Sequence, residues 1–461
     1  MVKDNGHVVD LSLPDEISIS KSLKEFCPEI VAFSVTSGEH TLYLDCIQSI
    51  ARLYPHKENR PYIIMGGMYP IIFSEIIENN ENIDAICIGE GEEKFIELLE
   101  KFESGKNYSL TENFWFRQGK EIVKNAIVST PLDINKLPIP DRDLFFSKSE
   151  PMRNALQKTF LFSRGCLYSC TFCHNVYMKK VYKKGFYRNL TPEKAVQEIT
   201  DTVRKYKTRV LYFYDDNFHY GIEWLESFKT LYKKEVNLPF SCHLRLDKFL
   251  TRDAVSLLKE AGCYKVLSGI EAGNQTIRRK TLKRHETNDV LLEKMQLLKD
   301  FNIYSLATNI FGIPNTTFEN DLETLDFNLS LKPDYALSGQ FMPLPKLKLT
   351  EDAYEQGLLS ESTDTNEFNI MSEYSPLNIN YKKELYRLTN LSSIIIKFPF
   401  LRPLLPFLLS LPLDKLYFVA NKYFRFLSEY LSLPRGTIQA KDFLKIFSHL
   451  IFKGFTGYRK S

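Results

Sequence analysis

The stretch SRGCLYSCTFCHN, residues 163–175, carries three cysteines, Cys166, Cys170 and Cys173, spaced by three and then two residues. Thiolates at that spacing fit on one tight loop and can hold three irons of a four-iron cluster. The fourth iron then has no protein ligand within the run and is open to a small molecule. Two plainer readings compete. A structural zinc site normally takes four protein ligands, usually as two separated cysteine pairs, and would need His174 or a remote residue. Buried, unreactive cysteines are common, but core packing poorly explains three so close together after the strand-like LFSRG. The open cluster is the favoured reading.

The surrounding chain has 461 residues, too many for one ordinary core, so two or three domains are expected. A formal net charge of +3 and the lack of a long basic block argue against a nucleic-acid partner. No disulfide framework is legible among the eight cysteines. An oxygen-sensitive cluster needs a reducing compartment, so the cytoplasm is expected. The opening MVKDNGHVVD lacks the apolar core of a signal peptide. Residues 393–413 are apolar enough to raise the membrane question, yet Lys397 and Arg402 interrupt them and Pro399, Pro403, Pro406 and Pro412 divide them. Short helices are expected there rather than a spanning one. A patch resting on a membrane surface or facing a lipid-like substrate is the alternative.

Downstream of residue 158 the pattern is a repeated strand then helix. Strands are expected at 159–163, 210–214, 240–246, 265–270, 304–311 and 335–342, with helices at 192–206, 221–234, 252–261, 289–301 and 317–331. Thr191-Pro192 opens one helix and Gly262 closes another. Six such units suit a partial barrel with its site at the strand carboxyl ends. Those ends are polar: Asp215-Asp216-Asn217-Phe218, then Arg245 and Asp247, then Gly269-Ile270-Glu271-Ala272-Gly273, then Gly312-Ile313-Pro314.

The cysteine spacing and these strand ends resemble the radical S-adenosylmethionine (SAM) superfamily over residues 160–345. The resemblance implies a [4Fe-4S] cluster on the triad and reductive cleavage of SAM. It also implies SAM contacts from Phe172, Asp215, Asp216, Arg245, Glu271 and Gly312. Carboxylates suit the ammonium and ribose hydroxyls of SAM, and Arg suits its carboxylate. Against each stands a plainer role: a helix cap for Asp247 or Asn217, packing for Phe172, core for Cys242. Gly165 is expected to permit a turn, and Arg164 to offset cluster charge or to be solvated. Tyr168, His174 and Tyr177 flank the triad without a decided role.

Upstream, residues 30–35, 62–65 and 85–88 read as buried parallel strands with helices at 41–53, 74–79 and 92–104. Each strand runs into a loop of small residues, SVTSGEH, GGMYP and GEGE, and such loops line one crevice in a doubly wound sheet. In this order they resemble the cobalamin-binding domain that precedes many radical SAM cores. That implies cobalamin contacts from Ser34, Thr36, Gly66, Gly67, Gly89, Glu90, Gly91 and Glu92. Two departures stand out. Residues 6–11 look like the second strand of that domain, so a central strand is missing; a start roughly 25–30 residues upstream is expected, the alternative being a degenerate domain. Neither His7 nor His40 fits a lower cobalt ligand.

The expected architecture is α/β. A flavodoxin-like doubly wound sheet lacking its first strand (1–106) leads to a linker with a hairpin turning at Gln118-Gly119 (107–157). A partial (β/α)6 radical SAM barrel (158–345) and a helical C-terminal region (346–461) follow. After residue 345 the family's Pro-x-Pro-Gly-Thr is replaced by Pro343-Leu344-Pro345-Lys346-Leu347. A helix is expected near 350–359, a polar loop at 360–375, and helices with an aromatic stripe from 381 onward, either covering the barrel or shaping an apolar pocket.

The function implied is a cobalamin-dependent radical SAM methyltransferase acting on an unactivated carbon of a secondary metabolite or lipid-like molecule. An external one-electron donor such as flavodoxin or ferredoxin would serve it. The rivals are a radical cyclase or ring-modifying oxidoreductase and a non-catalytic binding protein.

Overall fold

A computed structural model describes residues 1–182, 184–360, 374–434 and 436–437. Most of the polar loop expected at 360–375, and the C-terminal region past 437, lie outside the described residues.

The first sheet runs β1 (Ile30–Ser34), β2 (Tyr62–Gly66), β3 (Ala85–Cys87), β4 (Phe114–Gln118) and β5 (Glu121–Lys124) in that spatial order. The first three are parallel, and the β4–β5 hairpin adds antiparallel to β3. Alternate side chains enter two cores. Ile63 and Met65 pack with helices Glu16–Phe26 and His40–Leu53, while Ile64 and Ala85 pack with helix Glu92–Glu103. A doubly wound sheet is the result.

Three expectations need correction. Residues 6–11 form no strand; the segment is held by side chains, His7 on Glu103 and Asp10 on Ser22 and Lys148, and Val8 is 82% exposed. In the described sheet β1 is an edge strand. The hairpin expected in the linker belongs to the first sheet, because Phe114 and Phe116 complete its core. Its turn sits one residue later, at Gly119-Lys120, where Gly119 takes φ +62°.

The second sheet opens with β6 (Gln157–Phe160). A short antiparallel pair, β7 (Ser163–Arg164) with β8 (Arg188–Asn189), then brackets the cysteine loop. The sheet continues with β9 (Val210–Phe213), β10 (Phe240–His243), β11 (Cys263–Glu271), β12 (Tyr304–Phe311) and β13 (Tyr335–Gln340). All neighbours are parallel in the order β6-β9-β10-β11-β12-β13, an open six-stranded half of a barrel. The strand expected at 159–163 stops early because Phe162 N donates to Asp215 (2.8 Å) instead of to a ladder, and Ser163 Oγ joins it on the same carboxylate (2.6 Å). Helix starts are capped by Thr191, Thr251 and Thr287, and Gly262 (φ +110°) closes helix Arg252–Ala261.

The expected C-terminal helices form, broken at the prolines: Lys382–Lys397, the 3-10 turn Pro399–Leu404, Leu405–Ser410 and Asp414–Ser432. No helix among the described residues is long and apolar enough to cross a membrane. The last helix plugs the barrel where its strands begin. Lys265 reaches Glu429 (2.7 Å) and Ser432 (3.2 Å), and the Tyr335 ring lies 5.8 Å from Phe424. The opposite end, where the strands finish, is left for chemistry.

Candidate active site

The cysteine loop leaves β7 at Gly165 (φ +80°), where a Cβ would stand 2.6 Å from the Phe186 carbonyl oxygen, so the expected turn role is met. Cys170 is buried, and Cys166 and Cys173 are half-buried, all as free thiols. Burial first, then the neighbouring Asp216 and thiols, pushes the Cys173 thiol up to about 11, and Cys166 moves the same way. A bound iron would have to displace those protons. Among the described residues no three Cys, His, Asp or Glu converge on a single ion position. Three thiolates that each take a different iron of a cube need not converge, whereas zinc ligands must. The donor set fits the cluster. Cys242 packs against Cys263 in the sheet core (Sγ–Sγ 3.9 Å), away from this loop.

Arg245 stands over the loop. Its guanidinium lies 3.6 Å from Cys170 Sγ, stacks 3.6 Å from the Tyr168 ring centre and pairs with Glu286. Tyr168 in turn donates to Asp247, which also accepts from Phe249 N (2.9 Å). Asp247 therefore ties a turn and a cluster-loop tyrosine together; the cap of the next helix is Thr251. Asn217 accepts from Arg245 N (3.0 Å).

Glu271 sits on the β11 bulge at φ +65°, a conformation that costs about 1 kcal/mol or more for a non-glycine. Gly269 explains how it fits: a Cβ there would lie 1.9 Å from Glu271 Oε1. Gly273 lets helix Phe318–Leu331 approach, its N donating to Thr324 Oγ1 (2.9 Å). Arg284 reaches Glu271 (3.3 Å) and the Gly269 carbonyl (2.6 Å). Burial raises the Glu271 carboxyl despite Arg284 and Arg245. Burial also pushes Glu286 upward, but the Arg245 bond and the Arg284 charge outweigh it and hold Glu286 below the usual range. Arg284 Nε and Glu286 Oε2, 4.0 Å apart, are buried without hydrogen-bond partners. Such unmet bonds are what a zwitterionic ligand could satisfy.

The two adjacent aspartates part company. Asp215 is fully buried and spends Oδ1 on Phe162 and Ser163, so it shapes the entry to the cysteine loop rather than the mouth. Asp216 opens to the mouth beside Cys166 and Cys173, accepting only from Asn175 (2.8 Å). Phe172 is partly buried against Ala272 and Ile313, at the ends of β11 and β12. Gly312 (φ +68°) donates to Asp321 (2.9 Å) and is covered by Leu385, so protein rather than open space adjoins it.

The first sheet's loops are mostly spent on protein contacts. Gly67 (φ +87°) lies against Val35, with a Cβ 2.6 Å from its carbonyl, and Gly66 O accepts from Val35 N (2.9 Å). Gly89 (φ +98°) lies under Tyr182 Oη, which also accepts from Glu90 N (2.6 Å); Gly91 lies beside Cys87 Sγ. Glu90 and Glu92 turn to Arg164 and Arg188 on β7 and β8 rather than to the crevice. Ser34 and Thr36 remain exposed, and Ser37 Oγ is buried without a partner. The altered Pro-x-Pro loop also has a use: Lys346, at φ +62°, reaches Glu75 (2.5 Å) and the Ile72 carbonyl (2.8 Å) of the first sheet's side.

Arg284, Glu286, Arg188 and Tyr182 were not singled out from the sequence. They lie in charged connectors such as KRHETN and in a two-residue strand, where no spacing marks them.

Residues 160–327 match the radical SAM superfamily model, so the chain carries a radical SAM domain. An uncharacterized methyltransferase of Pyrococcus horikoshii is 24% identical over 358 residues, 77% of this chain and 75% of the relative. The anaerobic magnesium-protoporphyrin IX monomethyl ester cyclase of Cereibacter sphaeroides is also 24% identical, over 79% of this chain and 60% of its own length. In fold, the chain is similar to the radical SAM methyltransferase TsrM of Kitasatospora setae, solved with cobalamin and a [4Fe-4S] cluster: TM-score 0.64, 14% identity, 96% of this chain and 91% of that one.

Proposed function

We propose that the protein is a cobalamin-dependent radical SAM methyltransferase acting on an unactivated carbon of a small, largely apolar molecule. The observation that carries this is the thiol triad at the carboxyl ends of one parallel sheet, with the strand-end loops of a second sheet docked against it. When bound, the cluster with SAM supplies radical chemistry, and cobalamin supplies a methyl carrier. Cys166, Cys170 and Cys173 would hold three irons, with the Arg245 guanidinium 3.6 Å from Cys170 Sγ. Arg284 suits the SAM carboxylate, Glu271 and Asp216 its ammonium and hydroxyls, and the Phe172 ring its adenine. Ser34, Thr36 and Ser37 would face cobalamin. The plugging helix keeps water from entering where the strands begin.

An external one-electron donor of the flavodoxin or ferredoxin kind, and a cytoplasmic setting, accompany this chemistry. Exposed Phe400 (73%) and Phe407 (63%) support peripheral membrane contact through residues 393–413, which flotation with lipid vesicles would test. Anaerobic reconstitution with cobalamin and methyl-labelled SAM tests the main proposal. Label reaching the bound cobalamin supports it. Formation of 5′-deoxyadenosine without label transfer favours the cyclase chemistry of the Cereibacter relative, and no SAM cleavage at all favours a binding protein.

A further inference from the structure

We infer that Glu90, from the first sheet, is a positioning residue for the iron–sulfur loop of the second, acting as the carboxylate that bridges two facing arginines and offsets their repulsion. Arg164 and Arg188 are direct cross-strand partners on β7 and β8, the strands that bracket the cysteine loop. Like charges directly opposite each other on a ladder repel, and this ladder is only two residues long on each side. By itself such a pair is not a stable hairpin. One buried carboxylate reconciles the arginines. Glu90 Oε1 accepts from Arg164 Nη1 (2.9 Å) and Arg188 Nη2 (2.5 Å), and Oε2 accepts from Arg188 Nη1 (3.0 Å) and Leu132 N (2.8 Å).

The same short loop holds the far side of the cysteine run. Glu90 N donates to Tyr182 Oη (2.6 Å), next to helix Asn175–Val181, and Glu92 takes the second branch of Arg164. Both flanks of the triad are thus fastened to the carboxyl end of β3. The two bound arginines hold the Glu90 carboxyl below its usual range against its burial. The cluster loop is consequently ordered by the domain beside it, whether or not that domain carries cobalamin. This rests on the cluster assignment and not on the methyl-transfer reading.

The test is iron content after anaerobic reconstitution of the full chain, with the EPR signal of the reduced cluster before and after SAM. Glu90→Gln keeps shape but removes the charge, and is expected to hold less than a third of the wild-type iron. Glu90→Gln with Arg188→Gln removes the repulsion and is expected to recover more than two thirds, with the wild-type response of the signal to SAM. Arg188→Gln alone, which leaves Glu90 with one arginine, is expected to stay near wild type. A Glu90→Gln protein with full iron overturns the inference. So does a double variant no better than the single, because lost hydrogen bonds alone would not be mended by removing a second partner. Arg188→Gln holding less than a third of the wild-type iron overturns it as well, and this result stands even if Glu90→Gln fails to fold. Wild-type protein that takes up no iron would fault the cluster assignment itself.

Discussion

The strand-end loops of the barrel leave several charged atoms unmet, whereas those of the first sheet use most of theirs against the protein, Glu92 Oε2 being the exception among the described residues. At the barrel mouth, Arg284 Nε and Glu286 Oε2 face each other at 4.0 Å, buried without hydrogen-bond partners, Glu271 is held at a costly φ, and Asp216 is open. In the first sheet, Gly67 accommodates Val35, Gly89 accommodates Tyr182, and Glu90 meets two arginines. Both sets have the composition of ligand loops. Strain and unmet hydrogen bonds mark a place prepared for something absent, while full satisfaction marks structure.

That contrast can be tested from its strongest point downward. Cys170→Ala should abolish cluster assembly; wild-type protein should bind about four irons after reconstitution and the variant essentially none. Glu271→Gln should keep its iron but slow SAM cleavage roughly 100-fold, as loss of a preorganised charge does. Gly269→Ala should follow it, since its Cβ would occupy the position of Glu271 Oε1. Normal SAM cleavage by both variants would break the distinction at the mouth. On the other side, Gly67→Ala should cost about 2 kcal/mol in unfolding measurements, because its φ of +87° and the 2.6 Å approach to Val35 are structural needs. Unchanged stability with weakened cobalamin binding would return Gly67 to the ligand.

The smallest expected effect concerns Asp321, whose carboxyl accepts from Gly312 N at the end of β12. Burial, opposed only by that bond, pushes it up to about 7. The folded protein then keeps a proton that the unfolded chain releases near its usual value. The associated stability is full below the unfolded pKa and is lost as pH rises through about 7. The melting temperature of the apo-protein should fall by a few degrees between about pH 5.5 and 8. Asp321→Asn should flatten that slope, and an unaltered slope would assign it to another group.

The triad, the six barrel strands and the strand-end motifs were legible because each is a local pattern: a spacing, an alternation, a polar residue after an apolar run. Gly269-Ile270-Glu271-Ala272-Gly273 needed no partner to be noticed, although its glycines have separate uses, one under a carboxylate and one under a helix. Asp215 and Asp216 could not be told apart, since adjacent residues at a strand end point opposite ways and only the neighbours distinguish them. Residues 6–11 resemble a strand of the cobalamin-binding domain, but a strand needs a partner, and none of the described strands offers one.

From its sequence alone, this chain was bound to present three thiols on one loop at the carboxyl end of a parallel sheet, because spacing and periodicity are properties of neighbouring residues. Which charges would be left open and which consumed depended on residues 50 to 100 positions apart meeting in space, as Glu90 does with Arg164 and Arg188 across separations of 74 and 98. Electrostatic satisfaction is a property of distance in three dimensions, and only the tertiary structure sets those distances.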